Sequence, residues 1–280
     1  MKLLCRPAKR YRSFDWPSKI DTEKIIKAEA NCLIWSVQLE NATPAIVKMY
    51  YRRGIINYIR EKSLNFRAQR EFRILRRLDR NGIPCSIPLF WAYDHCKEYG
   101  FYEILCTRQI SYTKTLTDFL APKQIVKEDI DLGSLFQMVH KLHKCGVYHG
   151  ALSTKNILID AAGNAQAKYY FIDLARGWLF PGSILEKKIA WYDILKIVRS
   201  IENDLGIGYC KPYLTRYGFG KSAIEKFYQD ARPHRSYSRK QKRIKNTLKV
   251  KIFILALITK LTMRMSWLKF FSISSQNYPR

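Results

Sequence analysis

Apolar positions change their period along this chain, and the changes mark out its elements. Residues 29–50, "EANCLIWSVQLENATPAIVKMY", set two runs rich in Ile, Val and Trp on either side of a turn-like "ENATP". That pattern predicts two or three short strands. After Arg53-Gly54 the spacing becomes helical: Ala68, Phe72, Leu75 and Leu78 share one face of "NFRAQREFRILRRLDRNG", and Asn81-Gly82 followed by Pro84 gives a stop. "IPLFWAY" and "FYEILCTR", separated by the polar "DHCKEYG", predict a further pair of strands. Then "SYTKTLTDFL" opens a helix-rich half. In "DLGSLFQMVHKLHKCG", Leu132, Leu135, Phe136, Val139 and Leu142 form an apolar face that ends at Gly146, and "IAWYDILKIVRSI" predicts another helix. Between them "NILID" and "KYYFID", joined by "AAGNAQA", read as a β-hairpin. No internal repeat interrupts this order.

Strands and helices are segregated rather than alternating, which predicts an α+β fold in two lobes. Residues 1–107 form a small strand-rich N-terminal lobe with one embedded helix, and residues 108–230 a helical C-terminal lobe with a hairpin. Residues 231–280 form a basic amphipathic tail that either stands apart or completes the helical lobe.

Composition narrows the class. Of 280 residues, 47% are hydrophobic and 14% aromatic, with 10 Pro and 13 Gly, which excludes extensive disorder. Seven cysteines (Cys5, Cys32, Cys85, Cys96, Cys106, Cys145, Cys210) make no C-x-x-C pair, a usage that suits reduced thiols in a cytoplasmic protein. "MKLLCRPAKRYR" is too short an apolar stretch for a signal peptide, and "IFILALI" at 252–258 lies between Lys251 and Lys260, too short for a membrane span.

Charge changes the picture more. The formal net charge is +27, and residues 231–280 carry 13 Lys and Arg with no Asp or Glu after Asp230. Such a field selects anionic partners: nucleic acid, phosphorylated sugars or an anionic membrane face. The tail mixes basic residues with Ile, Leu, Phe and Trp267, the mixture of an interfacial helix on an anionic leaflet.

Four short stretches carry chemistry. "VYHGALSTKNILID" spaces His149, Leu152 and Asn156 before an apolar run. "FIDLARG" ends the hairpin on Asp173, "PAIVKMY" puts Lys48 near the end of a strand, and "AQREFRILRRL" puts Glu71 on the following helix. Singly, each has an ordinary reading: a solvated lysine, an i,i+4 partner on a wet helix face, a turn asparagine and a strand-end aspartate. His140, His143, Cys145 and His149 also suggest a metal cluster at first sight, but His143 belongs to an "LH-x-x-G" element that ends a helix.

Together, in this order, the stretches resemble the protein-kinase-like folds, whose pattern is a strand lysine, a helix glutamate, H-R-D-L-x-x-x-N, a hairpin and D-F-G. Adding "REFRILRRLDRNGIP", "TRQISYTKTLTDFL" and "LHKCGVYHG", residues Ala45 to Ile201 resemble the lipopolysaccharide kinase family, which phosphorylates Kdo or heptose of the inner core. The resemblance implies an ATP-dependent phosphotransferase using Mg²⁺. It implies Lys48, Glu71 and Thr107 for the nucleotide, His149, Asn156 and Asp173 as catalytic-loop and D-F-G positions, and Asn156 and Asp173 for the metal. Asp193 in "AWYDILKI" resembles the helix aspartate that braces the catalytic loop, and Arg52 and Arg53 are candidates for an anionic acceptor. The implied partners are a lipopolysaccharide core sugar or another anionic acceptor, with residues 231–280 against the cytoplasmic face of the inner membrane.

Two departures matter. No glycine lies between Lys27 and Asn41, where a phosphate-covering loop is expected. Ala151 occupies the position of the loop aspartate, the general base, and neither Ser153 nor Lys155 nearby is a base at neutral pH. General-base terms are worth about 10²–10⁴-fold in rate. The alternatives are therefore a kinase that works without that base, a pseudokinase acting as a nucleotide- or membrane-associated binding module, and a basic nucleic-acid-binding protein, against which no RNA or DNA motif appears.

Overall fold

The computed structural model describes residues 24–39, 42–51, 66–110, 114–120, 131–160 and 168–231. Arg52, Arg53, the "AAGNAQA" turn and residues 232–280 of the basic tail lie outside the described residues.

The N-terminal lobe is a five-stranded antiparallel sheet, β1 (Ile25–Glu29), β2 (Cys32–Gln38), β3 (Pro44–Tyr51), β4 (Pro88–Cys96) and β5 (Gly100–Arg108), in the order β1-β2-β3-β5-β4. Side chains alternate across a strand, so the register sorts β3 into two faces. Ala45, Val47 and Met49 are fully buried in a cluster with Leu33, Trp35, Phe90, Ile104 and Cys106. Ile46, Lys48 and Tyr50 point the other way, opposite Ser36, Ile34 and Cys32 on β2 and Thr107, Leu105 and Glu103 on β5.

Helix α1 (Arg67–Arg80) packs on that second face through Ala68, Glu71, Phe72, Ile74, Leu75 and Leu78. Its N-cap, Phe66, has no capping side chain. Glu103 of β5, itself buried, accepts the Ala68 N–H at 2.7 Å instead, which satisfies an otherwise unpaired amide and sets a carboxylate against the positive helix end. Phe66 stacks on Tyr93 and packs against Trp91 and Phe101. The helix stops at Asn81-Gly82, where Gly82 takes φ +65°.

Two strand limits differ from the sequence reading. β4 and β5 run through "DHC" and Gly100, pairing Asp94 with Tyr102 and His95 with Phe101, so the turn shrinks to Lys97–Tyr99. "SYTKTLTDFL" contributes a two-residue strand, β6 (Lys114–Thr115), before a short helix α2 (Leu116–Leu120), because Lys114 and Thr115 pair with the hairpin.

The C-terminal lobe has α3 (Leu132–Lys144), capped by the Asp131 side chain on the Ser134 N–H at 3.0 Å. Then follow β7 (Val147–Tyr148), the predicted hairpin β8 (Ile157–Asp160) and β9 (Lys168–Phe171), and β10 (Trp178–Leu179). β7 pairs with β10, and β6 with the hairpin. Helix α4 (Lys188–Leu205) is the predicted "IAWYDILKIVRSI" helix, and its apolar stripe is buried at Ala190, Ile194, Leu195, Ile197, Val198 and Ile201. α5 (Lys211–Tyr217) and α6 (Lys221–Ala231) complete the described chain. Contacts gather Met1–Ile224 into one unit and Glu225–Arg280 into another, of which residues 225–231 are described.

Candidate active site

Lys48 and Glu71, 23 residues apart, form an ion pair with Nζ 2.9 Å from Oε1. The side chains are 14% and 1% exposed, so the ordinary reading of each as a solvated surface charge does not hold. The Tyr50 hydroxyl donates to the other Glu71 oxygen at 2.5 Å, and the Arg67 guanidinium lies 4.4 Å above the Tyr50 ring centroid. Burial opposes the Lys48 charge, but Glu71 and, behind it, Asp173 outweigh burial and hold the ammonium above its ordinary range. Tyr50 is pushed well up, by burial first and the Glu71 charge second.

The turn between β1 and β2 is Ala30–Asn31, two residues between Glu29 and its β2 partner Cys32. It contains no glycine. Thr107 is buried on the Lys48 face of the sheet, across from Ile46 and two residues along from Leu105, the strand partner of Lys48.

The loop "HGALSTKN" is fixed by one face of α4. Asp193, fully buried, accepts the His149 N–H at 2.7 Å and the Gly150 N–H at 3.0 Å. One turn on, Lys196 donates Nζ–H to the Gly150 carbonyl at 2.5 Å. One turn further, the Ser200 hydroxyl accepts the Thr154 N–H at 3.1 Å and lies 2.6 Å from Thr154 Oγ1, which takes a bond from Thr117 of α2 at 2.7 Å. Positions i, i+3 and i+7 lie on one helix face, and all three are polar in a helix whose buried stripe is otherwise mostly apolar. Gly150 takes φ +77°, and a Cβ there would sit 2.3 Å from the Arg176 carbonyl oxygen. The arginine of the kinase pattern therefore has no room at 150 without movement of that backbone.

His149 is fully buried, edge-on to Phe171 with ring centroids 6.1 Å apart, and among the described residues neither ring nitrogen has a hydrogen-bond partner. Burial lowers its pKa below 6.5 against the pull of Asp193 and Asp173, so the ring is neutral. His143 bonds the Tyr217 hydroxyl at 2.7 Å through Nδ1 and lies 3.4 Å from Asp193 through Nε2. These are structural contacts. Among the described residues no group of three or more His, Cys, Asp or Glu is arranged to hold a metal.

Asn156 donates its amide N–H to the Ala151 carbonyl at 2.7 Å, which leaves its side-chain oxygen as the remaining acceptor. The Ile172 N–H bonds the Asn156 carbonyl at 3.1 Å, setting Asp173 beside the loop. Asp173 takes the left-handed conformation, φ 56° and ψ 57°, uncommon for a non-glycine residue and concentrated at functional sites. Among the described residues no hydrogen bond or ion pair engages its carboxylate. An amide oxygen and a carboxylate suit a hard cation such as Mg²⁺.

A cross-lobe contact completes the site. Arg70 of α1 donates to the Ala175 carbonyl at 2.7 Å and lies 4.7 Å from the Trp178 ring centroid. It ties the Glu71 helix to the segment after Asp173.

The pattern of the lipopolysaccharide kinase (Kdo/WaaP) family matches residues 22–187, more than half of the chain. The chain belongs to that family. Among curated proteins it is similar to a 3-deoxy-D-manno-octulosonic acid kinase of Xanthomonas euvesicatoria pv. vesicatoria, 25% identical over 48% of this chain and 53% of that protein. It is also similar to the serine/threonine-protein kinase RIO1 of Chaetomium thermophilum, 28% identical over 41% of this chain and 22% of that protein. The chain thus spans about half of the first relative and about a fifth of the second. Among solved structures it resembles WaaP, determined in complex with acyl carrier protein, with TM-score 0.57 at 15% identity, over 89% of this chain and 99% of WaaP. That likeness shows the fold, a bilobal α+β kinase-like architecture, as the family resemblance in the sequence implied.

Sequence reasoning missed Tyr50, Arg70, Glu103, Lys196 and Ser200. Signals existed for most of them. Tyr50 is two residues from Lys48 on one strand, Glu103 is an acid inside the apolar "FYEILC", and Lys196 and Ser200 follow Asp193 at helical spacing. Nothing local in the sequence marks Arg70.

Proposed function

We propose that this protein is an ATP-dependent phosphotransferase that phosphorylates an inner-core sugar of lipopolysaccharide, Kdo or heptose, and does so without a carboxylate in its catalytic loop. The observation that carries this reading is the Lys48–Glu71 pair, formed and buried on the sheet face that the nucleotide would occupy. Lys48 would hold the α- and β-phosphates, with Glu71 and Tyr50 fixing its ammonium. Thr107 would line the nucleotide end of the same face. Asn156 and Asp173 would hold Mg²⁺, which neutralises the charge on the transferring phosphate when bound. The fixed loop positions the acceptor, and positioning with electrostatics supplies most of phosphoryl transfer.

Ala151 favours a second reading, a pseudokinase that binds nucleotide without transferring phosphate. Thermal shift with Mg·ATP tests the reading common to both, since a ligand of the folded state raises stability by RT ln(1 + [L]/Kd). A stabilising shift in wild type that Lys48→Met abolishes is expected; no shift at millimolar nucleotide would sink both. Transfer to deacylated core sugar then separates them. Turnover in wild type that Asp173→Ala abolishes establishes the kinase, whereas turnover only in Ala151→Asp establishes the pseudokinase.

No described helix is long and apolar enough to cross a membrane. Residues 231–280, with 13 Lys and Arg and no acid, support attachment to the cytoplasmic face of the inner membrane, and Arg52 and Arg53 remain acceptor candidates on charge alone. Nucleic acid is not among the proposed partners.

A further inference from the structure

Arg67 opens α1, where a cation is unfavourable because the helix macrodipole already places positive charge at that end. The first turn holds no acidic residue, and the adjacent Ala68 N–H is taken by Glu103. Helix stability therefore gives no reason for an arginine here. Arg67 is half-buried, and among the described residues its guanidinium meets neither a carboxylate nor another acceptor. It rests on the Tyr50 ring, 4.4 Å from the centroid. That contact holds the charge against the ring face and uses none of the N–H donors of the fork.

The register says where those donors lie. Ile46, Lys48 and Tyr50 follow one another on one face of β3 at steps of about 7 Å. Thr107 stands opposite Ile46, and Cys32, which borders the β1–β2 turn, stands opposite Tyr50. Arg67, above Tyr50, is thus one step beyond Lys48 on the side away from Thr107. Burial pushes the Cys32 thiol up to about 11, and the Lys48 and Arg67 charges both act against that rise. The two cations therefore bear on the same end of the sheet. Glycine lets backbone amides approach a phosphate closely, and the Ala30–Asn31 turn at that end has none.

We propose that Arg67 binds the terminal phosphate of the nucleotide and makes the site selective for a triphosphate over a diphosphate. The inference rests on the nucleotide reading above and deepens it. With Thr107 towards one end and Lys48 on the α- and β-phosphates, the next phosphate falls towards Tyr50 and the guanidinium above it. The planar fork of an arginine matches phosphate oxygens bidentately, and it supplies the donors that the glycine-free turn does not. The Tyr50 ring holds the fork in place beforehand, so little side-chain freedom is lost on binding. A diphosphate leaves those half-buried donors unpaired, and discrimination comes from what is left unpaired.

The test is calorimetry on the full chain with Mg²⁺, titrating the β,γ-imido analogue of ATP and, separately, ADP. Wild type should bind the triphosphate about tenfold or more tightly than the diphosphate, the ratio expected of one charge-assisted contact. Arg67→Gln should remove that margin by weakening the triphosphate selectively. Arg67→Met, which keeps packing on Tyr50 without the charge, carries the same expectation if Arg67→Gln does not fold. Arg73→Gln, at an exposed arginine of the same helix, controls for net charge and should keep the full margin. Equal affinity of wild type for the two nucleotides, a full margin in either folded Arg67 variant, an equal loss for both nucleotides, or loss of the margin in Arg73→Gln would each overturn the inference. Lys48→Met, by contrast, should weaken both nucleotides. A Mg·ATP thermal shift that persists without the margin leaves the nucleotide site standing, so the two proposals fail separately.

Discussion

At the scale of single residues, burial separates Lys48 and Glu71 from their ordinary readings as solvated charges. Glu71→Ala strands Lys48 at 14% exposure and removes the acceptor of the Tyr50 hydroxyl. Breaking a buried pair from one side costs about 3–5 kcal/mol, so the variant should melt well below wild type and lose its Mg·ATP shift. Tyr50→Phe removes one hydrogen bond and should cost about 1 kcal/mol, with nucleotide binding retained. An equal melting temperature for Glu71→Ala and wild type would show that the pair contributes nothing.

His149 gives a prediction in pH. Its folded pKa lies below the ordinary 6.5 because burial disfavours the charged ring. Below that value the unfolded chain binds a proton that the folded protein refuses, so stability falls as pH drops through 6.5 towards the folded pKa. His140, partly buried, shifts the same way. His149→Phe should keep the packing on Phe171 and show a smaller loss of stability between about pH 7 and about pH 5, read from melting temperatures across that range. An unchanged acid slope would place the titration elsewhere.

These residues were unequally legible. Lys48, Glu71, Asn156 and Asp173 were legible as candidates by their order and spacing, and the structure pairs Lys48 with Glu71 and sets Asp173 beside the Asn156 loop. Lys196 and Arg70 act on backbone carbonyls of segments 46 and 105 residues away. A carbonyl leaves no trace in residue identity, so such partners are invisible before folding.

At the scale of elements, helical and strand periods located most segments, and the failures have physical causes. The β4–β5 turn was read too long because polar Asp94 and His95 pair in register with Tyr102 and Phe101. Backbone hydrogen bonds there outweigh side-chain polarity. β6 was read as helix because two residues are too few for a period, and only the β8 edge decides their conformation. Helix α4 shows the reverse. Its apolar stripe was legible, but Asp193, Lys196 and Ser200 make it the backing of the His149–Asn156 loop. Ser200→Ala removes the acceptor of the buried Thr154 N–H, which should cost about 1–3 kcal/mol and speed amide exchange across residues 150–156 while leaving α4 protected. Uniform loss of protection along α4 would show that Ser200 serves the helix and not the loop.

At the scale of the whole molecule, charge is the dominant signal. A net +27 on 280 residues predicts binding to anionic vesicles that weakens with salt, since exposed charges are screened beyond about 8–10 Å at physiological ionic strength. Each basic residue near such a surface contributes about 1 kcal/mol. Replacing the nine Lys and Arg from Arg232 to Lys251 by Gln in the full chain should therefore abolish sedimentation with phosphatidylglycerol vesicles. Persistence of binding in that variant would assign the interaction to other parts of the chain.

The start of α1 is held at three positions, Ala68, Arg70 and Glu71, by three separate parts of the protein. Glu103 of β5 takes the Ala68 amide, the Ala175 carbonyl takes Arg70, and Lys48 and Tyr50 of β3 take Glu71. A swing of this helix would break all three within four residues, so it has no inexpensive second resting position. The Glu71 helix is therefore fixed in one position rather than switched between two. On the proposed phosphotransferase reading, nucleotide should bind in a single kinetic phase, with no slow step of helix closure ahead of it.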